Sequence, residues 1–177
     1  MQFATVTLIG IALAASACDK ADASGKAAES KSEVAKGCPA GATADAQKNF
    51  CITVPPGYTL EAPKANPPNT DVYLKPADAK NAQIRVWHRP DESGGDYQAM
   101  VGNQDTDTKA AGIKVDSRGK LDGTEGSFTL ITDGITQRIH VALKGNKRLI
   151  VCEASTFTAP LAAPVVEACK SLKPFPL

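Results

Sequence analysis

Apolar and polar residues alternate over much of the chain after residue 47, which is the pattern of half-buried β-strands. The clearest example is the segment 126–155, "GSFTLITDGITQRIHVALKGNKRLIVCEAS", which holds three such runs. The pairs Asp133-Gly134 and Gly145-Asn146 separate these runs, and both pairs are favoured in two-residue hairpin loops. The pattern therefore predicts a three-stranded antiparallel meander.

Two-residue loops at these pairs would also determine which residues face each other. Thr132 would lie opposite Ile135, and Val141 opposite Ile150. One face of the meander then becomes a continuous apolar stripe, formed by Phe128, Leu130, Ile135, Ile139, Val141, Ile150 and Cys152. The opposite face mixes polar and apolar side chains, so we expect it to be partly covered as well.

Shorter strand signals precede the meander. A strand from Phe50 to Val54 is ended by Pro55-Pro56-Gly57, and a second extended piece covers 58–61. The segments 71–76 and 82–90 each end at a proline, and 112–120 reads as a strand followed by a turn. Together with the meander, these segments predict a mainly antiparallel sheet.

One helix is predicted between the early strands and the meander, in the segment 96–112. Its apolar face would consist of Tyr97, Met100, Val101 and Gln104, which recur at helical spacing. Ser93 or Asp96 is a suitable N-cap, and Gly112 is suited to close the helix.

A second helix is predicted in the segment 158–175, either with Pro160 in its first turn or, because Pro164 lies deeper, beginning only near Pro164. Its apolar face consists of Leu161, Val165, Cys169 and Leu172. Because this face would pack on the sheet face that carries Cys152, we predict a Cys152–Cys169 disulfide. We also predict Cys38–Cys51, which would join the start of the domain to its first strand. Four cysteines permit three pairings, so the other pairings stay open.

The chain begins with an apolar run from Phe3 to Ala17, which is shorter than the roughly 20 residues of a membrane-spanning helix. Its length and its small final residues predict a signal peptide over 1–17. Cys18 follows directly and is the odd one among five cysteines. The sequence "ASAC" resembles the lipobox of bacterial lipoproteins, in which this cysteine is acylated and becomes the mature N-terminus. Ala15 stands where that pattern prefers Leu, and Ala15-Ser16-Ala17 also fits ordinary secretion with the same cleavage point.

Residues 18–36 are predicted to be the lipidated Cys18 and a charged tether. The part from 19 to 36 holds four Lys and four Asp or Glu among Ala and Ser, and Val34 is its one large apolar residue. Such a composition buries too little apolar surface to offset its ordering entropy. We therefore assign residues 37–177 to a single globular domain.

The overall charge limits the class of partner. The chain has 20 basic and 19 acidic residues, a formal net charge of +1. This balance argues against a nucleic-acid binder that relies on neutralising phosphates, and against a polybasic membrane-surface protein.

The order of elements resembles the PsbP-like family, whose fold is shared with a nuclear Ran-binding protein and with many bacterial lipoproteins. The residues that carry the resemblance are "FCITVPPGY", "AQIRVWH", the hairpin run and "CKSLKPF", within 47–175. The resemblance implies an α+β fold, an antiparallel sheet of about six to seven strands packed by two main helices. Members are mostly binding or assembly modules, and the two predicted disulfides are not part of the family pattern.

Motifs for catalysis or metal binding are lacking. The segment 103–114 begins like a calcium loop but lacks the central Gly and ends in Lys114 where a Glu is required. His88 and His140 lie on separate predicted strands, and the spacing implies no third ligand. We therefore predict neither a cofactor nor a metal.

One strand suggests a binding surface. In 84–90, Arg85, Trp87 and Arg89 share a face, a combination common at recognition sites. With Arg138 and His140 they form a candidate surface for a protein or an anionic ligand. The alternative interpretation is a structural Trp87 covered by a helix or by the stems of the arginines.

The sequence thus predicts a non-catalytic binding or assembly module in the bacterial cell envelope. It would be held to a membrane by the lipid on Cys18, with its domain outside the cytoplasm and an envelope protein as partner. One alternative is a carrier of a small apolar ligand, which would need a cavity between the last helix and the meander. Another is a hydrolase, which would need a cleft that joins His88 or His140 to a carboxylate and a Ser.

Overall fold

The computed structural model describes residues 37–158 and 160–177. The predicted signal peptide (1–17), the predicted acylation site Cys18 and the predicted tether up to residue 36 lie outside the described residues.

The described residues form eleven strands and two helices. The strands are β1 (Thr43–Ala44), β2 (Phe50–Ile52), β3 (Tyr58–Leu60), β4 (Lys64–Asn66), β5 (Asn69–Pro76), β6 (Ile84–Pro90), β7 (Ile113–Lys120), β8 (Glu125–Asp133), β9 (Thr136–Gly145), β10 (Arg148–Thr156) and β11 (Lys173–Pro174). The helices are α1 (Gly95–Asp107), between β6 and β7, and α2 (Ala163–Lys170), between β10 and β11.

Two antiparallel sheets organise these strands. The larger has the order β3-β5-β6-β10-β9-β8-β7 with β4 added beside β5, which makes eight strands in the described part of the chain. A three-stranded sheet has the order β1-β2-β11. The predicted fold class is confirmed: the domain is α+β, an antiparallel sheet packed by two helices. The larger sheet has more strands than the six or seven that were expected. The difference arises because short strands such as β4 carry little sequence signal.

The predicted pairing within the meander is wrong by two residues at both hairpins. Asp133 pairs with Thr136, and Gly145 pairs with Arg148, so that each loop begins one residue later than predicted. At the second hairpin the loop is Asn146-Lys147, and both residues adopt the positive φ of a type I′ turn (53° and 57°).

Gly145 is needed in this hairpin for a reason other than the turn. A Cβ at this position would collide with the side chain of Pro174 in β11. The glycine lets the small sheet approach β9 closely, so it lies in the strand rather than in the loop. A shift of two residues preserves the side-chain alternation, and the predicted apolar face is therefore present despite the wrong pairing. Ile135 is the exception, since it lies in the first loop and is 73% exposed.

The main core lies on the face of the large sheet that α2 and the small sheet cover. Its fully buried large side chains include Phe50, Ile52, Leu74, Ile84, Ile139, Leu143, Ile150 and Leu172. Both predicted cysteine pairs lie at disulfide distance: Sγ–Sγ is 2.02 Å for Cys38–Cys51 and 1.98 Å for Cys152–Cys169. The second pair joins α2 to β10.

The opposite face of the large sheet, called here the outer face, is covered in part by α1. Trp87, Leu149 and Val151 form a second, smaller cluster, against which Tyr97 and Met100 of α1 pack. This is the partial cover that the mixed pattern of the meander predicts.

The predicted caps of α1 are both wrong. The carboxylate of Asp91, which is 5% exposed, accepts the backbone N–H groups of Asp96 (3.2 Å) and Tyr97 (2.9 Å). Asp91 can reach these groups because Gly94 turns the chain with φ of 74°. At the other end the helix stops at Thr108 in a right-handed conformation, and Gly112 lies in the link to β7. In the described residues, neither helix is both long and apolar enough to span a membrane.

Candidate functional site

A cleft of about 750 Å³ opens to solvent between the second half of α1 and the outer face of the sheet. We call it the α1 cleft. Side chains of α1 and of β6, β8, β9 and β10 line it, and its charged or titratable members are Arg85, Asp107, Arg138, His140 and Glu153. Apolar side chains, among them Ile113 and Ile131, line the rest of the wall.

His140 lies in this cleft on β9, opposite Glu153 on β10. Its Nδ1 contacts Nε2 of Gln104, a side chain of α1 that is 8% exposed. Burial lowers the pKa of His140, although the carboxylates of Glu153 and Asp107 act in the opposite direction. The ring is therefore neutral at pH 7.

Arg85 is held between two carboxylates. Its Nη1 donates to Glu153 Oε1 (2.7 Å) and its Nη2 to Asp71 Oδ1 (3.0 Å). Burial lowers the pKa of Arg85, but the hydrogen bonds and charges of Asp71 and Glu153 outweigh it and raise the pKa overall. The charge of Arg85 is thus compensated from within the protein.

Arg138 is less firmly held. Its Nη2 lies 3.4 Å from Asp133 Oδ2, and about half of each side chain is exposed (48% and 53%). A surface pair of this kind contributes little to stability, so Arg138 can exchange its partner for a bound group.

The structure separates the five predicted surface residues into two groups. Arg85, Arg138 and His140 line the α1 cleft, whereas Trp87 and Arg89 do not. Trp87 is 7% exposed and packs beneath α1. Arg89 forms an ion pair with Asp96 (Nε to Oδ2, 2.9 Å), and its guanidinium carbon lies 5.8 Å from the centroid of the Trp87 ring.

The sequence-based surface did not include Gln104, Asp107 or Glu153. For Gln104 the signal was a polar residue on an otherwise apolar helix face. Glu153 alternates with buried residues along β10, as expected of the outer face. Asp107 gave no signal, because its place in the cleft depends on where α1 lies on the sheet.

The other histidine, His88, lies in the core. It is fully buried, and Arg148 Nη2 donates to its Nδ1 at 2.7 Å, while Asn49 Nδ2 lies 3.3 Å from its Nε2. Burial and the charge of Arg148 both lower the pKa of His88. The described residues include no group of three or more His, Cys, Asp or Glu that could hold a metal ion.

The α1 cleft also contains a serine, Ser155, two residues after Glu153 on β10. A hydrolase would need His140 to be oriented by a carboxylate and directed at this hydroxyl. Here Nδ1 of His140 is held by an amide, and Glu153 Oε1 is held by Arg85. In this arrangement the cleft can provide a bound molecule with hydrogen bonds, ionic contacts and an apolar wall.

A smaller depression of about 360 Å³ lies beside the end of α2. Leu121 and Phe128 line it together with polar and charged side chains, including Asp122, Glu167, Lys170 and Lys173. The apolar face of α2 is turned to the sheet instead, and Val165 and Cys169 are at most 1% exposed.

Comparison with known proteins yields little. No family model matches the chain, and no curated protein matches it. One similar solved structure is that of the protein Mog1 E65A mutant, with 8% sequence identity and a TM-score of 0.46. The match covers 75% of this chain and 94% of that chain. A similarity this weak says nothing about function, and membership of the PsbP-like family stays a prediction.

Proposed function

We propose that this chain is an exported protein of the bacterial cell envelope, anchored by a lipid on Cys18, and that its domain is a non-catalytic binding or assembly module. The observation that carries the binding part is the α1 cleft. It is open to solvent, mixes apolar walls with hydrogen-bonding groups, and gathers Arg85, Arg138 and His140. Such a mixed lining is typical of ligand and partner sites.

The anchor rests on the sequence. An apolar run of signal-peptide length ends in small residues at Cys18, and the other four cysteines form the pairs Cys38–Cys51 and Cys152–Cys169. Cys18 is thus left without a cysteine partner in its own chain, as acylation requires.

Detergent partitioning tests the anchor. The full-length protein, expressed in a bacterium that processes lipoproteins, should enter the detergent phase and carry a diacylglyceryl thioether on the N-terminal peptide. Cys18→Ser should move it to the aqueous phase. Cys38→Ala/Cys51→Ala keeps Cys18 and is the matched control. A Cys18→Ser protein that stays in the detergent phase contradicts the lipid assignment.

Photo-crosslinking in intact cells tests the binding site. A photoreactive phenylalanine analogue at Ser155, which is exposed in the α1 cleft, should give adducts in the membrane fraction. The same analogue at Thr59, which is exposed on β3 and does not line the cleft, should not. Equal adducts at both positions, or none at either, would contradict a binding function for the cleft.

The carrier hypothesis has less support, because the gap it needs between α2 and the meander is closed by buried side chains. The hydrolase hypothesis has one observation in its favour, the presence of His140, Glu153 and Ser155 in one cleft. A fluorophosphonate probe distinguishes it: a hydrolase should be labelled at Ser155, and a binding module should not.

A further inference from the structure

Five side chains that line the α1 cleft form one continuous row across the large sheet. Arg85 of β6 pairs with Tyr73 of β5 on one side and with Glu153 of β10 on the other. His140 of β9 continues the row by pairing with Glu153, and Thr129 of β8 by pairing with His140. Because paired residues lie on the same face, the row crosses five strands and spans roughly 19 Å. We call it the polar row.

Several hydrogen-bonding atoms of the polar row have no partner in the part of the chain that the structure describes. Thr129 is 8% exposed, and its hydroxyl makes no hydrogen bond there. Glu153 uses Oε1 for Arg85 and His140 uses Nδ1 for Gln104, whereas Oε2 and Nε2 of these two residues are left over. A polar group that is shielded from water without a partner costs free energy, and a ligand that supplies the missing hydrogen bond recovers it. The floor of the cleft is therefore suited to a ligand that both donates and accepts hydrogen bonds.

The charged side chains that line the cleft are balanced. They are Arg85 and Arg138 against Asp107 and Glu153. Uncharged hydrogen-bonding side chains, such as those of Gln83, Thr129 and Ser155, are twice as numerous in the lining. A ligand with a net charge would leave that charge uncompensated in a partly desolvated site, which is unfavourable. The cleft is therefore suited to a ligand that is polar but neutral.

Apolar side chains lie beside the polar row. Ile131 follows Thr129 by two residues on β8 and lies on the same face, and Met100 of α1 and Ile113 at the start of β7 also line the cleft. The volume of about 750 Å³ is in the range of small-molecule sites. A sugar ring combines the required features, because its hydroxyls both donate and accept hydrogen bonds and its C–H groups form an apolar face.

The spacing of the polar row distinguishes a sugar from an extended peptide. Neighbouring members of the row are about 4.8 Å apart, which is the separation of paired strands. Groups on one side of an extended peptide recur at roughly 6.6 Å, twice the rise per residue, and so do not stay in step with the row. A peptide can also bind by adding a strand to a sheet edge. The strands β6, β9 and β10 are each hydrogen-bonded to two neighbours, so the floor of the cleft presents interior strands.

We propose that the α1 cleft binds a neutral saccharide. Thr129, His140 and Glu153 form hydrogen bonds with hydroxyl groups of the sugar, and Ile131 contacts its apolar face. The ion pair with Arg85 holds the carboxylate of Glu153 in place. The inference rests on the proposed binding function and names the chemical class of its ligand.

A glycan array tests this class. The full-length protein is kept in micelles of a detergent without a sugar head group, because such a head group would compete. The array holds neutral oligosaccharides beside their uronic-acid and amino-sugar analogues. At least one neutral glycan should be retained at least fivefold more strongly than its charged analogues. Thr129→Val keeps the shape of the side chain, removes its hydroxyl and should lower this retention several-fold.

Thr59→Val is the matched control, because Thr59 is exposed on β3 and does not line the cleft. It should leave the retention unchanged. A preference for charged glycans overturns the proposal, as does a retention that Thr129→Val leaves intact or the absence of any retained glycan.

NMR titration with the retained glycan locates its site. The imidazole signals of His140 should shift as the glycan is added, and those of His88 in the core should stay in place. Unshifted signals of His140 would mean that the glycan binds elsewhere, which also overturns the proposal.

The adduct formed at Ser155 in cells separates this proposal from the broader one. A saccharide adduct supports both: extraction into organic solvent identifies its source as a glycolipid, and retention in water identifies a glycan without lipid. An adduct with a peptide stretch or with a lipid that lacks sugar keeps the binding function and overturns the saccharide. If Ser155 gives no more adduct than the Thr59 control, both proposals fail.

Discussion

One buried histidine, His88, and one half-buried histidine, His140, make stability depend on pH. Burial lowers the pKa of both His88 and His140, and the charge of Arg148 lowers that of His88 further. In the unfolded chain each ring takes up its proton near pH 6.5, whereas the folded chain takes it up only at lower pH. The unfolded state thus binds more protons below about pH 6.5.

We therefore expect the free energy of unfolding to fall as the pH drops below 6.5. Above pH 6.5 the two histidines should not change it further. Each histidine contributes at most about 1.4 kcal/mol per pH unit between its folded pKa and 6.5. Urea titrations between pH 5.5 and 7.5 measure the slope, and His88→Gln with His140→Gln should flatten it. NMR titration of the two imidazoles is the independent check, and a folded pKa above 6.5 for either ring would contradict the expectation.

The cap of α1 depends on one residue. Asp91→Ala removes the acceptor of two backbone N–H groups and should lower the free energy of unfolding by about 1 kcal/mol, within a range of roughly 0.5–2. Ser93→Ala is the control, since Ser93 is exposed and accepts only the N–H of Gly95 (3.2 Å). Chemical denaturation of both variants measures the change in the free energy of unfolding. An equal decrease in the two variants would contradict the assignment of Asp91 as the cap of α1.

At the scale of elements, the sequence pattern predicted which face each strand turns to the core but not the pairing. Alternation is a local property, so the stripe from Phe128 to Cys152 could be recognised without knowing the loops. The pairing depends on Gly145, which the contact with Pro174 requires. Pro174 is distant in sequence, and no local rule indicates that it packs there.

The disulfide between α2 and β10 should stabilise the domain. Cys152→Ala/Cys169→Ala opens a loop with a sequence separation of 17 and should lower the free energy of unfolding by roughly 3 kcal/mol. The α1 cleft is on the opposite face, so the NMR signals of His140 should hardly move. Thermal unfolding with and without reductant measures the loss of stability. If the NMR signal of His140 shifted as much as that of His88, the separation of the two faces would be contradicted.

At the scale of the molecule, the two helices differ in how well the sequence located them. The apolar face of α2 and Cys169 indicated its position against Cys152, because two independent features agreed. The position of α1 on the outer face had no such second feature. The candidate site depends on that position, which is why the predicted surface held Arg85 and Arg138 without their carboxylate partners and omitted Asp107 and Gln104.

The proposed lipid anchor on Cys18 gives a last prediction, which concerns how far the domain can reach from the membrane. The 18 residues between Cys18 and Gly37 span at most about 60 Å when extended, and the α1 cleft lies at the end of β9 opposite the Asn146-Lys147 loop. If its partner is held at a distance from the membrane, deleting residues 21–34 should reduce the Ser155 adduct in cells. The NMR signals of His140 should stay unchanged, because the cleft itself is untouched. A replacement of equal length made of Gly and Ser should restore the adduct, since length and not sequence determines reach. If the deletion leaves the Ser155 adduct unchanged, the partner lies close to the membrane surface. If the Gly and Ser replacement does not restore the adduct, the charged segment itself makes contacts.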